Sequence, residues 1–350
     1  MTILEAMTVD VCVVGTSGFT GGELSKLLDG HPHFSLHTMF YNSNKYSDIF
    51  TNIPLDCENE EPITSLNLKY LEENNISVVF LCLPHGKTFD VYKQIQNFDG
   101  IVIDFYSNFR LAPQTYEKWY GTKHTMSEEQ PIFISGFVEV NSNLFSTQSS
   151  KLRVAMPGCF VTASTLALLP IKHKIDTSVK ANFFATTGIS GAGKEANQNT
   201  SYYSVSDNVR PYRFGTHQHS PEIAGHLDLA EDELLFFPHK VPMTRGMNSL
   251  GVAKLKDLDG SESTESLTKL YKDFYNEFPM VHVVDAPPET KAVQNTNLAL
   301  VNVQFDDGYV YASSAIDNLV KGAAGHALQT ANIIFNRDQA MGLITKGAVI

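Results

Sequence analysis

Short runs of β-branched and aromatic residues recur through the first half of the chain, and each ends in a turn. Val9-Asp-Val-Cys-Val-Val14, Val78-Val-Phe-Leu-Cys-Leu83 and Ile101-Val-Ile-Asp104 read as buried parallel strands, and Phe34 to Phe40 as a further strand. After the first run the period changes. Leu24, Leu27 and Leu28 share one face of a helix that ends near Gly30-His31-Pro32. This alternation predicts an α/β fold with a Rossmann-type doubly wound parallel sheet. Past Pro170 the pattern shifts. Strands are expected at Ala181–Thr187, Leu298–Phe305 and Tyr309–Ala315, with a polar connection over Ser261–Thr268 leading into a helix. A second, α+β domain follows from these. Residues 1–158 then form one domain, 159–318 the other, and a terminal helix over 319–350, patterned through Asn332, returns to the first. No internal repeat or low-complexity segment interrupts this order.

One stretch stands out within the pattern: Val154-Ala-Met-Pro-Gly-Cys159-Phe-Val-Thr162, running on to Pro170. It predicts a strand end at Arg153–Ala155, a Pro-Gly turn, and a helix stopped by Pro170. Cys159 falls on the first turn, where unpaired N–H groups and the positive end of the helix dipole favour a thiolate. The same groups suit an oxyanion. The alternative is a buried structural cysteine. Of the other three, Cys12 and Cys82 lie inside apolar runs and Cys57 lies among carboxylates, so only Cys159 has an activating setting.

Composition narrows the field. With 43% hydrophobic residues, 350 residues bury a full core in two domains. A net charge of −12 without a basic stripe argues against nucleic acid or an anionic membrane as partner. The start, Met1 to Thr8, lacks the regions of a signal peptide, and no apolar run reaches transmembrane length. Cysteines without CxxC spacing point to a reduced, cytoplasmic protein without structural zinc.

Glycine turns follow two of the strands. Gly15-Thr16-Ser17-Gly18-Phe19-Thr-Gly21 links a buried strand to a helix and can set backbone N–H groups against a pyrophosphate; a tight turn without ligand fits equally. Where NAD-preferring folds end the second strand on Asp or Glu, this chain has Ser43, Asn44 and Lys45, which suits the 2′-phosphate of NADP or is an ordinary polar turn. Pro84-His85-Gly86 follows the third run, and His85 reads as a hydrogen-bonded loop residue. Arg110, after the fourth, can fork onto an anion or be a solvated arginine. Gly188-Ile-Ser190-Gly191-Ala-Gly193 lacks Walker spacing, and is either a close approach to a ligand or a wide turn. His217 and His219 lack a third metal ligand at recognisable spacing, so proton transfer fits them better.

In this order the motifs resemble the N-acetyl-gamma-glutamyl-phosphate reductases, relatives of aspartate-semialdehyde dehydrogenase. The likeness covers Gly15–Gly21, Leu83–Gly86, Pro157–Pro170, Ser190–Gly193, His217-Gln-His219-Ser-Pro-Glu222 and Asn318–Gly325, with the run at Cys159 the most specific. Two places depart: Ser-Ala-Asp-Phe-Arg becomes Tyr106-Ser-Asn108-Phe109-Arg110, and Leu-Pro-Glu becomes Phe137-Val-Glu139. The resemblance implies reduction of an acyl phosphate through a Cys159 thioester in arginine biosynthesis, with His217 handling the proton. It implies Arg110, His219, Glu222 and Arg245 as substrate contacts. NADP would be held by Gly15, Thr16, Ser17, Gly18, Phe19, Gly21, Ser43, Asn44, Lys45, Pro84, Ser190, Gly191, Gly193 and Asn318. A homo-oligomer, dimer or tetramer, is implied too. The alternatives are a reductase of aspartyl or carrier-linked aminoadipyl phosphate, and a non-catalytic NADP-binding regulator.

Overall fold

The apolar runs form strands of one sheet. In the computed structural model, which describes residues 8–42, 55–84, 86–129, 132–145, 151–194, 198 and 200–347, these are β1 (Val9–Val14), β2 (Phe34–Tyr41), β3 (Asn59–Pro62), β4 (Val78–Leu81), β5 (Ile101–Asp104), β6 (Phe133–Ser135) and β7 (Arg153–Ala155). All pair parallel, in the order β3-β2-β1-β4-β5-β7-β6. The order reverses direction between β1 and β4, so the loops leaving those two strands form the crevice where doubly wound sheets take ligands. Between the strands run α1 (Phe19–Leu28), α2 (Leu68–Glu73), α3 (Thr88–Ile95), α4 (Pro113–Tyr120) and α5 (Val138–Phe145). Strand β4 stops two residues short of the expected Leu83: the Cys82 N–H still bonds Val14, but the chain then turns at Pro84. Arg153 is buried in β7, its guanidinium satisfied by the carbonyls of Gly100 and Phe98 and by the Tyr92 hydroxyl.

The compact unit built on this sheet comprises residues 1–157 and 323–343; the other comprises 158–322 and 344–350. The second unit opens with α6 (Cys159–Leu168) and contains α7 (Tyr202–Val205), α8 (Ser220–His226) and α9 (Thr264–Tyr275). Its mixed sheet, in the order β12-β13-β14-β11-β8-β10-β9, uses β8 (Ala181–Thr187), β9 (Arg210–Pro211), β10 (Leu234–Lys240), β11 (Met247–Lys254), β12 (Val281–Val283), β13 (Ala299–Asp306) and β14 (Tyr309–Ile316). Burial alternates residue by residue along β8 and β11, the mark of a sheet covered on one face. Helix α6 packs on the covered face against β11 and β14, and α9 against β12 and β13. On the other face Phe237, Phe184, Leu250 and Ser313 lie in register across neighbouring strands. The polar connection expected over Ser261–Thr268 is helix in its second half, because Ser263 caps α9 by accepting the Ser266 N–H.

The chain re-enters the first unit through a π-helical turn, Val320–Ala324, and α10 (Gly325–Ile334), which packs on α1 and α5. Helix α10 is far shorter than the expected 319–350 element. Asn336, at φ 53°, adopts the left-handed conformation that ends helices, and the described residues beyond it are turns.

The end of α6 shows what a proline stop requires. Every residue from Phe160 to Leu168 is buried, and regular helix ends at Leu168, with Pro170 inside a 3-10 turn over Leu169–Lys174. Pro170 has no N–H to give the Leu166 carbonyl four residues back. The Tyr275 hydroxyl donates to that oxygen instead at 2.6 Å, and the Tyr271 hydroxyl donates to the Ala167 oxygen at 2.8 Å. Tyr275→Phe therefore leaves a buried carbonyl without a donor, and urea unfolding should show a loss of about 1–3 kcal/mol. Lys269→Ala, which removes only an exposed pair with Asp273, should leave the urea midpoint unchanged.

Candidate active site

Cys159 is the first residue of α6 and is partly exposed, whereas its neighbours in the helix are buried. The Gly158 N–H beside it donates to Glu222 Oε1 at 3.0 Å. A carboxylate in the first turn of α8 thus sits at the positive end of α6. It stabilises that end and opposes part of the field expected to favour the thiolate. Glu222, expected at the substrate, has this partner within its own unit. Behind Cys159 the π-helical turn comes close: a Cβ on Gly322 would lie 2.9 Å from Cys159 Cβ, so only glycine lets the turn back onto the nucleophile. Burial raises the other three thiols, alone at Cys12, helped by Asp104 at Cys82, and helped by Glu60 and Glu58 at Cys57.

His217 lies in the same unit and is buried in an aromatic cage. Phe160, Tyr212 and Phe236 stand at 5.6, 5.5 and 5.2 Å between ring centroids. Burial, aided by the Arg213 charge, pushes its pKa down from 6.5 to about 3, so the imidazole is neutral at physiological pH. Its Nδ1 accepts the His219 N–H at 3.2 Å, which leaves the ring proton on Nε2. His219 follows with its ring 4.8 Å away, at the start of α8. Tyr212 shares this cluster. Its phenol is held protonated by burial and by the proximity of Cys159, and the Lys240 ammonium stands 5.2 Å from its ring centroid. Tyr212 was missed in the sequence because a tyrosine between two arginines carries no spacing signal; its place in the run ahead of His217 was the available clue.

Two loops of the second unit are zipped together. Gly188, Ile189 and Ser190 donate backbone N–H groups to Gly246, Met243 and Thr244. A Cβ on Gly188 would lie 2.8 Å from the Met243 and Thr244 oxygens, so glycine is required for this approach. Asn318 locks the pair: its Oδ1 accepts the Gly246 N–H and its Nδ2 donates to Ser190 Oγ. Gly191 and Gly193 are exposed on the same loop, Gly193 at φ 84°. Arg245 is gripped by the buried Asp317, with Nε at 2.8 Å and Nη2 at 3.1 Å.

In the first unit, the Gly15–Gly21 turn is pinned to β2 by Gly15 and Thr16 N–H bonds to Phe40. Gly15 has φ 93°, and a Cβ there would strike the Cys82 oxygen at 2.5 Å; one on Gly21 would strike the Gly15 oxygen at 2.4 Å. Gly18 differs, because its Cβ would make only an ordinary 3.5 Å contact. Gly18 caps α1 without any side-chain hydrogen bond, and Ser17 and Phe19 flank it half-buried. Pro84 is exposed at the carboxyl end of β4. A bare helix N-terminus at the switch point, with glycine where a ligand would need the space, is a geometry that can accept a dinucleotide phosphate. Ser43, Asn44, Lys45 and His85 lie outside the described residues. Arg110 donates through Nη2 to the Phe105 oxygen, and its charge opposes the burial that raises the Asp104 carboxyl to about 7.

Both departures from the resembled pattern have a local basis. Asn108 is fully buried, and neither atom of its side-chain amide has a hydrogen-bond partner among the described residues; a carboxylate in its place would be costlier still. Val138, standing where a proline would have no N–H, donates its N–H to His326 Nε2 at 3.2 Å. Among the described residues no three His, Cys, Asp or Glu side chains gather as metal ligands do, and no helix is long and apolar enough to cross a membrane.

Comparison with known proteins agrees with this architecture. The semialdehyde dehydrogenase NAD-binding domain matches residues 10–148, and the semialdehyde dehydrogenase dimerisation domain matches 159–318. Solved structures of aspartate semialdehyde dehydrogenase share the fold. The enzyme II of Vibrio cholerae superposes with TM-score 0.69 at 15% identity, over 94% of this chain and 99% of that one. The Candida albicans enzyme, solved with NADP, gives 0.68 at 16%, over 94% and 98%. Fold and site together define an oxidoreductase of the semialdehyde dehydrogenase class, which uses a nicotinamide cofactor. Relatives over the whole length are narrower in name. N-acetyl-gamma-glutamyl-phosphate reductases from Desulforudis audaxviator (36% identity, 97% of this chain and 99% of the relative) and Thermus thermophilus (34%, 96% and 99%) align throughout. The chain belongs to the N-acetyl-gamma-glutamyl-phosphate reductase family.

The depressed pKa of His217 fixes a direction of pH dependence. The unfolded chain protonates this histidine near 6.5 and the folded one near 3, so its contribution to stability is full above pH 6.5 and is lost as pH falls toward 3. Burial lowers His31, His33 and His124 as well, and these act in the same direction. Urea midpoints measured across this range should fall less steeply for His217→Asn than for the unmodified protein. Equal slopes would contradict the assignment.

Proposed function

We propose that the chain reduces N-acetyl-gamma-glutamyl phosphate to N-acetylglutamate semialdehyde with NADPH, releasing phosphate, by way of a thioester on Cys159. The observation that carries this reading is the pairing, within one unit, of a helix-initiating cysteine with a caged neutral histidine, in a chain whose full-length relatives bear that reductase name. The Cys159 sulfur attacks the acyl carbon and the phosphate leaves with the bonding electrons of the C–O bond, giving the thioester. The bound nicotinamide cofactor supplies the hydride for reduction of that thioester. The neutral His217 donates its Nε2–H as a hydrogen bond to the oxygen as the tetrahedral adduct forms and negative charge arises there. It keeps that proton as the C–S bond breaks, the electron pair returns to sulfur as the Cys159 thiolate and the aldehyde departs. Arg110, His219 and Arg245 meet the anionic ends of the substrate, while Glu222 acts from the helix end beside Cys159.

The first unit takes the cofactor, through Gly15, Thr16, Ser17, Gly18, Phe19, Gly21 and Pro84, with Ser43, Asn44 and Lys45 favouring NADP because no acidic residue stands there. Ser190, Gly191, Gly193 and Asn318 are the second unit's own candidates for cofactor contact, and that unit also carries the subunit contact. A second copy of this chain fits the open sheet face, where Phe184 and Leu235 are exposed and Phe184 stacks on Phe237, in a region that matches a dimerisation domain. Four free cysteines suit the cytoplasm.

Phosphate-dependent reduction of nicotinamide cofactor by N-acetylglutamate semialdehyde tests the reaction directly. NADP should give the higher kcat/KM; equal or better efficiency with NAD would remove the cofactor preference, and activity only with aspartate semialdehyde would replace the substrate. In the same assay His217→Asn should lower kcat by about two to four orders of magnitude with cofactor binding retained. His219→Asn should mainly raise KM for the semialdehyde. The reverse pattern would exchange the two roles.

A further inference from the structure

Asp317 is fully buried at the end of β14, and its carboxylate accepts four hydrogen bonds from three parts of the second unit. Arg245 donates through Nη2 to Oδ1 at 3.1 Å, and its Nε stands in ion-pair contact with Oδ2 at 2.8 Å. Oδ2 also accepts the Asn295 N–H at 2.6 Å, and Oδ1 accepts the N–H groups of Leu319 and Val320 at 2.9 and 3.2 Å. Its own backbone oxygen takes the Gly322 N–H at 2.9 Å, and Gly322 is the residue packed against Cys159. One carboxylate therefore holds the guanidinium edge of Arg245 and the first turn of the segment behind the nucleophile. The next residue, Asn318, ties the Ser190 loop to Gly246, beside Arg245.

We infer that Asp317 is a positioning residue of this site: by gripping Arg245 at two nitrogens, it fixes the guanidinium for an anionic group of the substrate, at a set distance from Cys159. The inference rests on the reading above that Arg245 meets the substrate. One hydrogen bond from Nη2 together with the Nε ion-pair contact narrows the orientations open to the guanidinium, whereas an arginine on a flexible stem samples several. The backbone bonds of Asp317 make the holder itself rigid. A buried carboxylate at the end of a strand of small residues was visible in the sequence, and its partner could not be, because Arg245 lies 72 positions away.

The test is kinetic, on the full-length enzyme with N-acetylglutamate semialdehyde, phosphate and NADP. Asp317→Asn keeps the shape and weakens the grip. It should raise KM for the semialdehyde about tenfold, the worth of one charge-assisted hydrogen bond, while kcat and the KM for NADP change less than about threefold. Arg245→Gln should raise the same KM at least as much, and the double variant should be no worse than Arg245→Gln alone. Additive effects, or a fall in kcat with a matching rise in the KM for NADP, would overturn the inference. An unchanged KM in Arg245→Gln would instead remove the substrate role of Arg245, on which it stands. If Asp317→Asn does not fold, Arg245→Lys decides: it keeps the charge but cannot be held at two nitrogens, so it should share the KM defect, and a normal KM there would refute the positioning role.

Discussion

A helix with no solvent-facing side must have both of its ends satisfied by protein, and the second unit is arranged to do this for α6. At its start Glu222 accepts the Gly158 N–H. At its finish two tyrosine hydroxyls from α9 reach the Leu166 and Ala167 carbonyls. Between the ends, Ser314 donates to the Ala163 oxygen and Ser164 meets Ser249. Leaving any of these groups unpaired would cost about 1–3 kcal/mol. The reward is a cysteine whose backbone is fixed from behind, by α6 itself and by the Gly322 turn, and whose side chain alone reaches the surface.

The electrostatics of that site are more balanced than a free helix end implies. A carboxylate occupies the positive pole of α6, and the caged imidazole of His217 is neutral. Positive charge comes instead from arginine and lysine: burial depresses His217 with Arg213 adding to it, and burial depresses Lys240 with Arg210 and Arg213 adding to it. A neutral histidine with its proton on Nε2 acts as a donor to an oxygen that becomes negative, not as a fixed cation. The site is thus prepared for charge that arises during the reaction.

Much of this was legible in the chain. The β-branched runs placed β1 and β5 to the residue, because strands buried on both faces of a parallel sheet read as continuous apolar runs. Cys159 at a helix start followed from Pro157-Gly158 and the apolar run behind it. Limits arose where the cause lay far off in sequence. Helix α6 ends at Leu168 for reasons completed by Tyr271 and Tyr275, and β4 ends early because the chain turns at Pro84. Local composition cannot report that Glu222 faces Gly158, or that Asp317 faces Arg245, since both depend on which strands become neighbours. The terminal helix follows its pattern, read through Asn332, and it was the wider 319–350 range that ran past Asn336, where the chain enters the left-handed region.

The tyrosine closure of α6 bears on the order in which the chain can fold. Tyr271 and Tyr275 stand 104 and 109 residues after the carbonyls they cap. Emerging from a ribosome at roughly 5–20 residues per second, the chain presents the nucleophile's helix for several seconds before its capping groups exist. During that interval α6 is an apolar segment with an open last turn, and the strands it will cover are only partly made. Assembly of the second unit therefore waits for α9 and for β13 and β14, which follow it in the chain. A chaperone that shields residues 159–170 until then would act on the one stretch whose premature burial elsewhere would misplace the reactive sulfur.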